Sequence, residues 1–237
     1  MTREEFTVQA EAVSGSLRRF LTALCCGDCS TADDIAQEAL IKAYLSSEGL
    51  RDETKFRAWI FRIAYNCFIS HRRALGAAPA AVSTEDESAR SVYSGDSADG
   101  AFRYQALYAA LDRLGPRERS AILLYYMQGY SVRETAGIVE ASEEAVKQYL
   151  SRGRRHLRGL LEKNDMDNTE DKKIRELFGA YHPEQSSARD FMRELERRMD
   201  AVEFIRERQT EAARARKTAL AVASATGFLA GFLFSRF

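Results

Sequence analysis

Proline is absent from residues 1–75, and the 237-residue chain holds only three prolines, four cysteines and three histidines. Without proline nothing forces a break in the helices that apolar spacing predicts there. Cys25, Cys26, Cys29 and Cys67 follow no secretory leader, because the charged opening Met-Thr-Arg-Glu-Glu runs into no apolar core. Export is therefore not expected, and reduced, cytoplasmic thiols are. Cys26-x-x-Cys29 lacks two further ligands at matching spacing, since His71, His156 and His182 are scattered. A structural role at helix ends is expected for these cysteines rather than a metal site, and no cofactor is expected. No nucleophile–base set, phosphate-binding loop or metal cluster is present, which argues against an enzyme. An excess of either charge is missing too, with 35 Lys+Arg against 35 Asp+Glu. Whole-chain charge thus says nothing about nucleic acid, and only its distribution can. Residues 1–73 are balanced, whereas 74–102 are acidic: Glu85, Asp86, Glu87, Asp96 and Asp99 stand against Arg90.

What the chain does have is a pair of short helices around a tight turn in residues 131–150, running into Ser-Arg-Gly-Arg-Arg155. Ser131 with Glu134 forms a capping box, and Ser142 caps the second helix ahead of Glu143 and Glu144. Ala136 permits a close crossing, while Ile138, Val146 and Leu150 supply the apolar seam. This is a helix-turn-helix pattern, whose second helix normally enters the DNA major groove. Lys147, Arg152, Arg154, Arg155 and Arg158 lie where phosphates would be met. A helical hairpin with a solvated basic face is the plainer alternative. Glu140 stands where the turn often carries glycine, so either a left-handed backbone there costs it roughly 1 kcal/mol or the turn adopts another form.

The expected fold is all-α. Residues 1–75 form one helical domain, with Phe6, Val13, Leu17, Phe20, Leu21 and Leu24 on its first helix. Asp33 or Asp34 starts the second helix, which carries Ile35, Ala39, Leu40, Ala43 and Tyr44. The third buries Phe56, Trp59, Ile60, Ile63, Ala64, Cys67 and Phe68. Residues 76–101 read as a flexible acidic linker, too poor in apolar side chains to repay ordering. Residues 102–164 form the helix-turn-helix domain, with Pro116 opening a helix at a favoured position. Residues 165–217 form a charged helical extension broken near His182-Pro183. Residues 218–235 carry no charge and reach the lower length limit of a membrane span, behind Arg214, Arg216 and Lys217; 218–237 is thus expected to be a transmembrane segment.

Two separate passages resemble one family. Residues 31–44 (TADDIAQEALIKAY) and 56–73 (FRAWIFRIAYNCFISHRR) look like regions 2.2 and 2.3–2.4 of extracytoplasmic-function sigma factors. Residues 111–119 (LDRLGPRER) and the helix-turn-helix are similar to regions 4.1 and 4.2 of the same family. The resemblance implies a sigma region 2-like bundle and a region 4-like domain that direct bacterial core RNA polymerase to promoter DNA and help melt it. It assigns Asp33, Asp34, Gln37 and Glu38 to polymerase contact. Lys55, Arg57, Arg62, Tyr65 and Asn66 would read the single-stranded −10 element, and Glu144, Lys147, Gln148, Ser151, Arg152, Arg154 and Arg155 the −35 element. Residues 166–217 loosely resemble the cytoplasmic part of a membrane-bound anti-sigma factor, without its His-Cys-Cys zinc pattern. They are expected to occlude the polymerase-binding face in cis and to link the chain to the inner membrane. The rival readings are a helix-turn-helix regulator that binds duplex DNA without serving polymerase, and a membrane-associated helical interaction protein.

Overall fold

A computed structural model describes residues 1–50, 52–76, 98–161, 170–183 and 185–234. Most of the linker expected over 76–101 and the polar joint at 164–168 lie outside the described residues. The chain forms two compact units, Met1–Met192 and Arg193–Phe237.

The first unit begins with a three-helix bundle: α1 (Arg3–Leu24), α2 (Cys29–Ser46) and α3 (Phe56–Ala74). Thr2 caps α1 in a capping box with Glu5. α1 ends in two left-handed residues, Cys26 (φ 53°) and Gly27 (φ 96°), and the Gly27 N–H closes on the Thr22 carbonyl at 2.8 Å. Gly27 is required for a second reason: a Cβ there would lie 2.6 Å from the Tyr108 ring. Asp28 then caps α2 by accepting from the Thr31 N–H at 3.0 Å. The second helix thus starts one turn earlier than Asp33 or Asp34. Cys26 and Cys29 do sit at helix ends, Cys26 just past the Cys25 cap of α1 and Cys29 opening α2, whereas Cys67 is buried within α3.

Phe6, Leu17, Phe20, Leu21, Ile35, Leu40, Phe56, Ile60, Phe61 and Ala64 fill the bundle core. Phe61 is fully buried and packs on Phe20, whereas Trp59 and Ile63, expected inside, are half-buried. The stripe of α3 is rotated toward Phe61 and Tyr65 because α3 is covered on a second side by the helices that follow.

Those are α4 (Ala98–Asp112), α5 (Pro116–Ile122), a π-helical turn over Leu123–Met127, α6 (Val132–Val139) and α7 (Glu143–Leu161). Pro116 opens α5 behind Gly115. Ser131 and Glu134 form the expected capping box, and the Ser142 hydroxyl accepts from the Ala145 N–H at 3.1 Å. Ala136, Ile138, Val146 and Leu150 are buried between α6, α7 and their neighbours. Gly153 lets α7 lie against α5, since a Cβ there would stand 2.5 Å from Ile122 Cγ1. Gly153→Val is expected to cost about 2 kcal/mol by overpacking this crossing. An unchanged urea midpoint would show that α7 can move away without penalty.

α8 (Glu170–Gly179) and the start of α9 (Ala188–Phe234) follow, separated by an irregular stretch around His182 and Pro183 where a break was expected. Ile174, Phe178, Tyr181 and Phe191 are buried in the first unit. The second unit continues α9. Arg197 and Arg198 hold the Glu194 carboxyl down at about 2 through hydrogen bonds, and Phe204 and Ile205 are exposed. The α9 backbone is helical to Phe234, but the side chains of 217–237 lie outside the described residues. Among the described residues no helix is long and apolar enough to cross a membrane, so the transmembrane expectation for 218–237 finds no support.

Candidate nucleic-acid interface

The acidic residues of α2 divide by their position on the helix. Asp34 and Glu38 face outward, Glu38 paired with Lys42 at 2.6 Å. Gln37 is 6% exposed and its Oε1 finds no partner among the described residues, so it belongs to the interior rather than to an outer face. Asp33 is part of a different construction. The Arg18 guanidinium, 2% exposed, donates through Nε (2.7 Å) and Nη2 (2.9 Å) to its two carboxylate oxygens. A two-pronged pair of this kind offsets the cost of burying the cation. The Ser186 hydroxyl bonds both partners, at 2.9 Å from Asp33 Oδ2 and 2.7 Å from Arg18 Nη2. The Phe191 ring then covers the guanidinium at 4.6 Å. Arg18 escaped the sequence reading, although its place on the Leu17–Leu21 stripe was a usable signal.

On α3, Arg57, Arg62 and Asn66 are exposed, while Tyr65 is only 4% exposed. Burial pushes the Tyr65 hydroxyl above its ordinary range, partly offset by Arg117. Tyr65 is thus placed as an interior side chain and not as an open stacking surface. Lys55 precedes the helix and pairs with Asp52 at 3.1 Å. The outward face of α3 meets the helix-turn-helix. Arg57 Nη2 donates to Gln128 Oε1 at 2.9 Å, and its guanidinium lies 5.2 Å from the Tyr130 ring centre. Gln128 is itself anchored by an Nε2 bond to the Ser16 carbonyl at 3.2 Å. Burial raises the Tyr130 hydroxyl to about 12. Arg62 and Asn66 both donate to one oxygen of Glu140, at 2.9 and 3.2 Å. These hydrogen bonds, Asn66 first, hold the Glu140 carboxyl below the usual glutamate range.

Glu140 does adopt the left-handed backbone, with φ 54°. Nothing in the local sequence announces that its side chain, with Gln128 and Tyr130, would face α3 from another helical body. Arg119 fastens the same packing. It is 3% exposed and donates to the Leu24 carbonyl at 2.9 Å and Cys26 Sγ at 2.7 Å, both at the end of α1. Burial raises the Cys26 thiol to about 11 and pushes Cys25 higher still, so both sulfurs are held as thiols.

The face of α7 differs. Glu144, Lys147, Gln148, Ser151, Arg152 and Arg155 are exposed and Arg154 is half-buried, and Arg152 pairs loosely with Glu118 at 3.7 Å. The α7 helix therefore presents amide, ammonium and guanidinium groups to solvent, while the exposed polar row on α3 is hydrogen-bonded to side chains of the chain itself.

Tyr181, His182 and Arg175 in turn pack on α4 and the π-helical turn. Tyr181 is fully buried, its hydroxyl 3.1 Å from that of Tyr108 and its ring 4.9 Å from the Tyr104 ring. The Tyr104 hydroxyl accepts from the His182 N–H at 3.0 Å and donates to the Ala180 carbonyl at 3.1 Å. Arg175 lies over the rings of Tyr125 and Tyr126 at 5.2 and 5.5 Å.

Residues 10–77 match the family model of Sigma-70 region 2, and residues 104–157 match that of Sigma-70, region 4. The chain is 30% identical over 147 residues to the ECF RNA polymerase sigma factor EcfG of Rhodopseudomonas palustris, covering 62% of this chain and 79% of that protein. It is 29% identical over 137 residues to the ECF RNA polymerase sigma factor SigL of Mycobacterium tuberculosis, covering 57% and 77%. Among solved structures it is similar to the sigma factor RpoE of Bartonella quintana, seen in complex with the anti-sigma factor NepR. That likeness has a TM-score of 0.54 and 25% identity, over 68% of this chain and 99% of the other. A bundle with a polar row on its third helix and a helix-turn-helix with an open basic face have thus been found on one chain, in the family's order. The chain belongs to the ECF sigma factors of RNA polymerase.

Proposed function

We propose that this sigma factor is held closed by its own chain in the state described. Residues 170–183 and 185–192 act in cis as an anti-sigma-like clamp that occupies Asp33 on the polymerase-contact face of α2, beside the exposed Asp34 and Glu38. The single observation carrying this reading is the Ser186 hydroxyl on Asp33, with Phe191 stacked on Asp33's partner Arg18. Asp33, Asp34 and Glu38 would offer carboxylates to basic groups on core polymerase, which favours fast, oriented docking more than tight binding.

In the open state Lys55, Arg57, Arg62 and Asn66 would hold the melted −10 strand, with cations on the backbone and amide groups on base edges. Tyr65 would join them only once α4–α7 move off α3. Lys147 and Gln148 would read −35 base edges beside Glu144 and Ser151, with Arg152, Arg154 and Arg155 on phosphates. Residues 76–101 would tether the bodies over 1–75 and 102–164 as they separate. The Bartonella quintana relative is seen with a separate anti-sigma factor; here the clamp would be part of the same polypeptide. None of this requires residues 218–235 to enter a membrane.

Mixed with bacterial core polymerase, the chain loosened by Tyr181→Ala is expected to start transcription from a promoter pool on which core alone is silent, and the wild type to start less. Asp34→Ala combined with Glu38→Ala should weaken core binding roughly tenfold, as expected for losing two partly screened charge contacts. The absence of any core affinity, in the wild type and in variants whose clamp is loosened, would end the reading. A regulator acting only on duplex DNA would bind its site and leave core polymerase silent.

A further inference from the structure

Glu140 occupies the one residue of the α6–α7 turn with a left-handed backbone, a position glycine fills without strain. Its carboxylate is the part of the residue that gives something in return. One oxygen, Oε1, accepts from Arg62 Nε at 2.9 Å and Asn66 Nδ2 at 3.2 Å, with Arg62 Nη2 also at 2.9 Å. An anionic oxygen receiving a guanidinium edge and an amide is the acceptor geometry a phosphate oxygen offers the same side chains. The contact is selective. Glu140 lies three residues before the recognition helix, yet Glu144, Lys147, Gln148 and Ser151 on α7 remain exposed. Arg57 is engaged in parallel by Gln128 and Tyr130, so Arg57, Arg62 and Asn66 all meet side chains of the second body.

We infer that Glu140 is a nucleic-acid-mimicking latch: its carboxylate fills the strand-backbone position on Arg62 and Asn66 and so blocks single-stranded DNA while leaving duplex reading open. This deepens the proposed function, because it rests on α3 being the single-strand surface. It also assigns an order to promoter engagement. The closed chain meets duplex through α7 first, and α3 becomes available only when the turn is lifted away.

The pair is half-exposed on both sides, 54% for Arg62 and 49% for Glu140, so the latch is weak by design and easily displaced. Binding of full-length protein to a short fluorescein-labelled oligothymidylate measures it. Glu140→Gly, which also relieves the backbone, is expected to bind about fivefold tighter than wild type, with a steeper salt dependence of about one extra phosphate contact. Glu140→Gln, which keeps the shape and loses the charge, should fall between the two. Affinity for a non-specific duplex should be the same in all three. Adding Arg62→Ala and Asn66→Ala to Glu140→Gly should abolish the gain. Unchanged oligothymidylate affinity in both single variants, or a gain that survives loss of Arg62 and Asn66, overturns the latch. Transcription with core polymerase is read separately, on the clamp-loosened Tyr181→Ala chain. Active transcription with unchanged affinities removes only the latch, whereas silence of the clamp-loosened chain removes the proposed function whatever the oligonucleotide does.

Discussion

Arg119→Ala is expected to destabilise the first unit by about 3 kcal/mol, seen as a lowered urea midpoint with an unchanged slope. A single guanidinium joins two bodies here. Its Nη1 serves the Leu24 carbonyl and Cys26 Sγ at the end of α1, and its Nη2 serves the carbonyls of Asp112 and Leu114 at the α4–α5 corner. Alanine leaves those buried acceptors without a donor, and each such loss costs about 1–3 kcal/mol. The Asp112 carboxylate at 3.2 Å adds little, because its side chain is 44% exposed and screened by water. Arg119→Lys should recover only a small part, since one ammonium cannot reach carbonyls on both sides of the joint. A loss below about 1 kcal/mol would mean that water replaces the guanidinium and that the α1–α5 joint is not held by it.

Tyr181→Ala is expected to raise the affinity of the full-length chain for core polymerase by up to about a hundredfold. Removing a buried aromatic side chain costs about 3 kcal/mol, and 1.4 kcal/mol is a factor of ten in an equilibrium. That cost falls on the docked state of residues 174–191, because Tyr181 is fully buried against Tyr104 and Tyr108 and its hydroxyl satisfies that of Tyr108. The gain stops where the clamp is fully released, so a smaller rise measures how weakly it was docked. Tyr181→Phe keeps the ring and loses the hydroxyl, and should lie between. Titration of labelled core polymerase gives the affinities, and amide exchange at 178–191 reports release. Release without any change in affinity would show that the clamp covers nothing polymerase needs.

Much of the fold was legible from local signals. Ser131, Glu134 and Ser142 announce the ends of α6 and α7, and Pro116 the start of α5, because a cap is satisfied within one turn of backbone. The same short-range reasoning leaves open whether the turn at Glu140 is left-handed, and the structure shows that it is. The candidate site was legible in part. The polar row of α3 and the basic face of α7 could be named residue by residue, but Gln37 and Tyr65 turned inward. The burial of Phe61 and half-exposure of Trp59 share the cause of Tyr65's burial: α3 is covered on two sides, and a one-sided apolar stripe does not describe such a helix.

By itself the sequence determined that the chain is helical, where the capped helices α5, α6 and α7 begin, and which family the chain resembles. Those outcomes depend on hydrogen bonds and side-chain spacing within a few residues. Only the tertiary structure decided that Arg18 is buried beneath Phe191, that Glu140 faces Arg62, and that Tyr181 closes on Tyr108. Each of these joins residues far apart in the chain. Such a pairing is set by how helices dock and what they shield from water, which no single helix encodes.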